Sequence, residues 1–163
     1  MRPLSETEIR DSIVNAAPEE AARIPLPGLH EVVWDDREYL GWRDPLLPHR
    51  GYLVHWRGEE AVGIVLRAAQ PRLGVGSAIC SLCHTAQPGG QVSLFTAPRA
   101  GEAGRRGDSV GTYICADLAC SLLIRIAPPG YAAMPSPEEL VAKRASALSG
   151  RLHAFTARVL AAA

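Results

Sequence analysis

Apolar positions Ile9, Ile13 and Val14 follow an S-x-x-E capping box at Ser5 and Glu8, and their spacing predicts a short helix over about residues 6–16. Pro25 and Pro27 end any continuation. The next stretch, GLHEVVWDDREYLGWRDPLLPHRG, sets Trp34, Tyr39 and Trp42 among prolines and glycines, which predicts an irregular loop pinned to the core by its aromatics. Two β-rich runs, GYLVHWR at 51–57 and AVGIVLR at 61–67, flank Gly58, Glu59 and Glu60 and predict a hairpin. A Pro/Gly-rich break at 71–76 leads to a first cysteine pair. A second hairpin is predicted from QVSLFT at 91–96 and VGTYI at 110–114, joined by a Gly/Arg-rich loop at 99–108.

After Cys115 the period lengthens. Leu118, Leu122, Leu123 and Ile126 are spaced for one buried face of a helix that Pro128 and Pro129 would stop, with a linker running on through residue 135. Ser136, Pro137 and Glu139 then supply an N-cap, a first-turn proline and a capping-box glutamate, predicting a long helix that reaches about residue 161. Along it Val141, Ala145, Leu148, Leu152, Phe155 and Val159 alternate steps of four and three, the spacing of a packed seam. Gly150 interrupts this helix at a cost of about 1 kcal/mol relative to alanine, which marks either a close backbone approach or a weaker helix. The fold class that follows is α+β: antiparallel hairpins with a short N-terminal helix and a long C-terminal one.

Length and composition narrow the class. The 163 residues suit one compact unit, divided here into a helical extension over 1–29 and a main domain over 30–163. Apolar residues make up 47% and charged residues 21%, the balance of a chain that folds rather than stays disordered. The zero net charge conceals a split: residues 1–60 carry 7 basic and 12 acidic side chains, the remainder 10 and 5. A mixed solvated surface accounts for that as readily as a phosphate-binding one. The N-terminus lacks the apolar segment of a secretory signal and no apolar run is long enough to span a bilayer, so the expected location is the cytoplasm.

In a reducing compartment four cysteines point to metal or redox chemistry rather than to two disulfides. Cys80 and Cys83 are separated by two residues, Cys115 and Cys120 by four, and each pair can clasp one side of a metal ion. Two thiolate pairs complete the tetrahedral shell that zinc takes in closed, non-catalytic sites. A knuckle, a hairpin, and a second pair entering a helix is the order of a treble-clef finger. The expectation is one structural zinc on Cys80, Cys83, Cys115 and Cys120, with His84 either replacing one ligand or lying beside the site. Cys80-Ser81-Leu82-Cys83-His84 also matches the haem-attachment pattern C-x-x-C-H, but that reading leaves Cys115 and Cys120 unexplained.

The sequence contains no H-E-x-x-H and no phosphate-binding loop. The five histidines, His30, His49, His55, His84 and His153, are dispersed along the chain, and the adjacent Asp35 and Asp36 read as a turn or cap. The expectation is a protein that is not an enzyme; a catalytic or ligand-binding reading would require a deep polar pocket away from the zinc.

Five blocks carry a family likeness: D-x-x-Y-L-G-W-R-D-P at 36–45, V-G-I-V-L-R at 62–67, I-C-S-L-C at 79–83, V-S-L-F at 92–95 and G-D-S-V-G-T-Y-I-C-A-D-L-A-C-S at 107–121. Over about residues 30–160 the chain resembles the elongation factor G-binding protein family, the group containing the fusidic-acid resistance proteins. The likeness is to their C-terminal treble-clef zinc-finger domain in its stand-alone actinobacterial form. It implies a protein that binds elongation factor G and helps release it from the ribosome, zinc on the four cysteines, and Tyr113 of G-x-Y-I-C as a partner-contacting residue. The larger helical N-terminal domain of the resistance proteins has no counterpart here.

Two functional readings follow. In the first, a translation-factor-binding module uses Tyr113, with Phe95 or Phe155 as further anchors if exposed, and Arg99, Arg105 and Arg106 at the rim. In the second, a nucleic-acid (RNA)-binding zinc module, with the ribosome as its setting, uses the same three arginines together with Arg144, Arg151 and Arg158, which recur every seven residues along the last helix.

Overall fold

A computed structural model describes residues 1–69, 76–126 and 135–161. The break at 71–75, the prolines 128 and 129 and most of the linker to 135 lie outside the described residues.

The N-terminal capping box forms as the sequence predicts. Ser5 Oγ accepts from the Glu8 N–H while the Glu8 carboxylate accepts from the Ser5 N–H, opening α1, Glu6–Asp11. The helix is shorter than the predicted 6–16. Beyond Ser12 the β-branched Ile13 and Val14 extend instead and pair in parallel with the middle of a strand: Gly63 N–H donates to Ser12 O at 2.8 Å and Val14 N–H to Gly63 O at 2.9 Å. Gly63 permits this, since a Cβ there would lie 2.4 Å from Ser12 Oγ. A one-turn helix, α2, Pro18–Ala21, follows.

The main sheet has five antiparallel strands in the order β1-β2-β3-β6-β7. They are β1 Leu40–Arg43, β2 Arg50–Arg57, β3 Glu60–Ala68, β6 Val92–Pro98 and β7 Ser109–Cys115; a separate ribbon pairs β4 Ser77–Ile79 with β5 Ala86–Pro88. Both predicted hairpins are present, as β2–β3 and β6–β7. The strand β1 corrects the prediction of an irregular loop. Tyr39 and Trp42 do anchor that segment, being 1% and 8% exposed, but the residues between them pair with β2, Leu40 opposite Val54 and Trp42 opposite Tyr52.

Strands β2 and β3 are near-continuous apolar runs because both faces are covered. Leu53, Ile64 and Leu66 point into a cluster shared with the cysteines and the last helix; Tyr52, Val54 and Val65 point into a second cluster with Leu4, Ile9 and Ile24 of the N-terminal segment. Strands β3 and β6 pair only at Arg67–Thr96 and Ala68–Phe95. Where they diverge, the Asn15 side chain bridges them, accepting from the Val65 N–H and donating to Val65 O and Pro98 O.

The loop predicted at 99–108 contains a short helix, α3, Gly101–Arg105. Downstream of Cys115 the helix predicted to run to Pro128 is a single turn, α4, Cys120–Leu123. Leu118 takes a positive φ of 60° and is buried, whereas Leu122 and Ile126 are exposed. On a continuous helix residues five apart sit roughly 140° round the axis from each other, so Cys115 and Cys120 could not converge without this break.

The last helix, α5, Pro137–Leu160, matches its prediction, with the Ser136–Glu139 capping box formed in both directions. Leu148, Leu152, Phe155 and Val159 are buried in the cysteine-containing cluster. No neighbouring atom approaches Gly150, so it is an exposed helical glycine without a packing role.

Candidate metal centre

The first pair of ligands sits in the turn joining β4 to β5. Cys80 N–H donates to Thr85 O and His84 N–H to Cys80 O, closing a tight knuckle in which His84 has a φ of 57°. The backbone N–H groups of Leu82 and Cys83 both point at Cys80 Sγ at 3.4 Å. The knuckle is fastened at two points: Ser81 N–H donates to Tyr113 O on β7, and the Arg151 guanidinium of α5 donates to Leu82 O.

The second pair lies where β7 ends. Leu118 N–H returns to Cys115 O, Asp117 Oδ1 accepts from the Ala119 N–H, and Cys120 opens α4. Tyr39 secures this turn from the other end of the sheet. Its hydroxyl donates to Leu118 O at 2.8 Å and accepts from the Cys120 N–H at 3.3 Å. Burial raises the Tyr39 pKa well above the ordinary phenol value, with the Cys120 thiol adding to the effect, so the hydroxyl stays a donor. The turn fits against the sheet because two facing positions are glycine: a Cβ on Gly41 would lie 2.6 Å from Leu118 O, and one on Gly51 2.8 Å from the Leu118 side chain.

The four sulfurs converge within 4.8 Å of one another, and all four cysteines are buried. Cys80–Cys120 and Cys83–Cys115 are 3.6 Å apart and Cys115–Cys120 is 3.4 Å. These separations are far longer than a disulfide, which is about 2.05 Å. They approach the ~3.8 Å edge of a tetrahedron whose centre lies ~2.3 Å from each sulfur, the zinc–thiolate distance. The thiols compete for protons. Cys80 is pulled down to about 7, first by hydrogen bonds from Cys115 and Cys120, while Cys120 is pushed up, first by its hydrogen bond to Cys115. A divalent cation resolves this competition by displacing the protons. The cluster is positioned to hold one metal ion, and donor set, geometry and burial fit one structural zinc with no coordination position left for a substrate.

Among the described residues this is the one group of three or more metal-ligating side chains. His84 is exposed and outside the sulfur cluster. Two of the dispersed histidines do meet: His55, fully buried, lies with its ring centroid 4.9 Å from that of His153. Asp36 pairs with Arg125, as does Glu38, tying the segment before β1 to the turn that follows α4.

The residues assigned to partner contact spread along one hairpin. Tyr113 is 56% exposed and stands opposite Leu94, two residues before Cys115. Arg99, Arg105 and Arg106 lie past the other end of β6–β7, beyond the Pro98–Ser109 pair, about 13 Å along the strand from Tyr113. Arg99 caps the end of α5 by donating to Arg158 O and Ala161 O, Arg105 pairs with Glu102, and Arg106 is exposed. Phe95 and Phe155 are core residues, 0% and 4% exposed, which removes them as surface anchors. In the arginine stripe of α5, Arg144 donates to Ile124 O and Ile126 O and Arg151 to Leu82 O, so both hold the helix to the zinc-bearing segments.

Sequence reasoning did not single out Gln87, whose Nε2 donates to Cys115 Sγ at 3.1 Å, nor the role of Tyr39. Tyr39 lay in a quoted block, but its link to Cys120 spans 81 residues; nothing local marked Gln87.

A cleft of about 690 Å³ between α2 and the turn after β1 shares no lining residue with the metal centre. At its edge Asp44 accepts from Tyr52 Oη and from the Leu46 and Leu47 N–H groups, and Arg50 pairs with Glu20, so these polar groups satisfy one another. Among the described residues no helix is long and apolar enough to cross a membrane.

Compared with protein-family models, residues 8–159 match the FBP C-terminal treble-clef zinc-finger. No curated protein and no solved structure matches the chain.

Proposed function

Because the chain belongs to the FBP C-terminal treble-clef zinc-finger family, we propose that it is a non-enzymatic, cytoplasmic zinc-finger protein that binds elongation factor G and promotes its release from the ribosome. The observation that carries the reading is Tyr113. It is the one aromatic side chain among the described residues that is exposed rather than buried or half-buried. It also stands on the strand that delivers Cys115, and its own carbonyl holds the first knuckle. Metal binding therefore fixes the backbone on which this side chain is displayed. A rigid, exposed aromatic on a zinc-braced strand supplies the kind of anchor that dominates protein interfaces.

The RNA-binding alternative loses support from α5, where Arg144 and Arg151 are spent on backbone carbonyls. A titration of the zinc-loaded chain with purified elongation factor G and, separately, with ribosomal RNA across a salt series tests the reading. The expected result is saturable binding to the factor that weakens at least tenfold in Tyr113→Ala with zinc content unchanged. Absence of factor binding at every salt concentration removes the proposal. Binding to RNA alone, falling steeply with salt, would replace it with the nucleic-acid reading.

A further inference from the structure

Gln87 is the one side-chain N–H donor, among the described residues, that reaches a sulfur of the cluster. It sits at the middle of β5, opposite Ala78, and strand alternation turns it inward while Ala86 and Pro88 on either side are exposed. Burying a primary amide is unfavourable unless its polar atoms find partners. Here the residue is 9% exposed, and its amide nitrogen is given to Cys115 Sγ at 3.1 Å, shorter than the 3.4 Å contacts that Leu82 and Cys83 make to Cys80.

The placement of these donors follows a pattern. A zinc ion with four thiolates carries a net charge of −2, and in this protein that charge would be confined among residues almost closed to water. Backbone N–H groups relieve the charge on Cys80 in the first knuckle. The first knuckle's own ribbon then reaches across, through Gln87, to relieve Cys115 in the second. We infer that Gln87 is a positioning residue for the metal. Its hydrogen bond holds Cys115 Sγ in place beside the other three sulfurs and fastens the β4–β5 ribbon to the end of β7, so that retention of the ion depends on a residue outside the ligand set. Hydrogen bonds to metal-bound side chains typically change metal affinity by about 10- to 100-fold. A glutamine suits the position because it donates without adding charge; a carboxylate there would face the thiolates.

The inference rests on the zinc reading of the four cysteines, and two measurements on the full-length protein test it. Competition of the zinc-loaded chain with a chromogenic chelator should show an apparent zinc Kd about tenfold weaker or more in Gln87→Met, which keeps the side-chain volume, and weaker still in Gln87→Glu. Loaded with cadmium-113 and labelled with nitrogen-15, the unmodified chain should show a through-bond coupling between the Gln87 side-chain N–H and the metal, transmitted by the N–H···S hydrogen bond. A purely packing role for Gln87 would not produce that coupling. A Gln87→Met protein that holds zinc within twofold of the original, or a cadmium spectrum without the coupling, overturns the inference; if Gln87→Met does not fold, the cadmium spectrum decides by itself. A chain that takes up neither metal removes the zinc reading along with it.

Discussion

The two halves of the sheet solve the problem of stability differently. Strands β2 and β3 are covered on both faces, by the cysteine-containing cluster on one side and by the N-terminal segment on the other. In β6 and β7 one face is buried, through Phe95, Ala97, Val110 and Ile114, while Gly111 and Tyr113 stay exposed. A strand sandwiched between two apolar layers holds itself in place and has no side chains free for a partner. A strand with one open face can present side chains, but it lacks half the burial. In this protein the metal compensates: the second knuckle grows from the end of β7 and the first is bonded to it through Ser81 and Tyr113. The part of the molecule suited to display a contact residue is the part that a zinc ion braces.

The largest test of this contrast removes the ion. Structural zinc contributes about 10–16 kcal/mol in small fingers. Elemental analysis should therefore find about one zinc per original chain and none in Cys115→Ser, and hydrogen exchange of that variant should show β4–β7 deprotected well before β2 and β3. Equal deprotection of both halves would remove the distinction. Next in size is Ile64→Ala, at a fully buried position of the two-sided half. It should cost about 2–5 kcal/mol in urea titration without changing zinc content, by the usual cost of truncating a large core side chain.

A smaller effect is expected from pH. His55 is fully buried between β2 and α5, and burial pushes its pKa down to about 4 from 6.5. The unfolded chain takes up the proton more readily, so the stability present above about pH 6.5 is lost as pH falls towards 4, by about 3 kcal/mol at most. Because acid also releases zinc, the measurement is the difference in urea midpoint between the original chain and His55→Gln at pH 7 and pH 4.5. An identical acid loss in both proteins would contradict it. Last, Tyr113→Ala should leave stability within about 0.5 kcal/mol, as expected of an exposed position on the open face; a loss of several kcal/mol would mean that Tyr113 is a structural residue after all.

The contrast also separates what was legible in the chain from what was not. The capping boxes at Ser5 and Ser136, Pro137 and the seam from Leu148 to Val159 could be read directly, because each is decided within one or two helical turns. The hairpins β2–β3 and β6–β7 were legible for the same reason, their turns lying within the runs they join. The helix predicted after Cys115 was not, because the positive φ at Leu118 serves convergence with cysteines more than thirty residues away, and α1 stops short because Gly63, far along the chain, offers Ile13 and Val14 a strand to pair with.

The sequence by itself determined the capped helix starts, the two hairpins and the metal donors: spacing brought each cysteine pair to one knuckle, and four thiolates specify the chemistry of a closed zinc site. Only the tertiary structure decided which aromatic remains outside, that Gln87 and Tyr39 support the knuckles, and that the arginines of α5 clamp the fold instead of forming a binding stripe. Those outcomes depend on contacts between segments distant in the chain, such as the 81 residues between Tyr39 and Cys120, and side-chain exposure is a property of such contacts rather than of any local pattern.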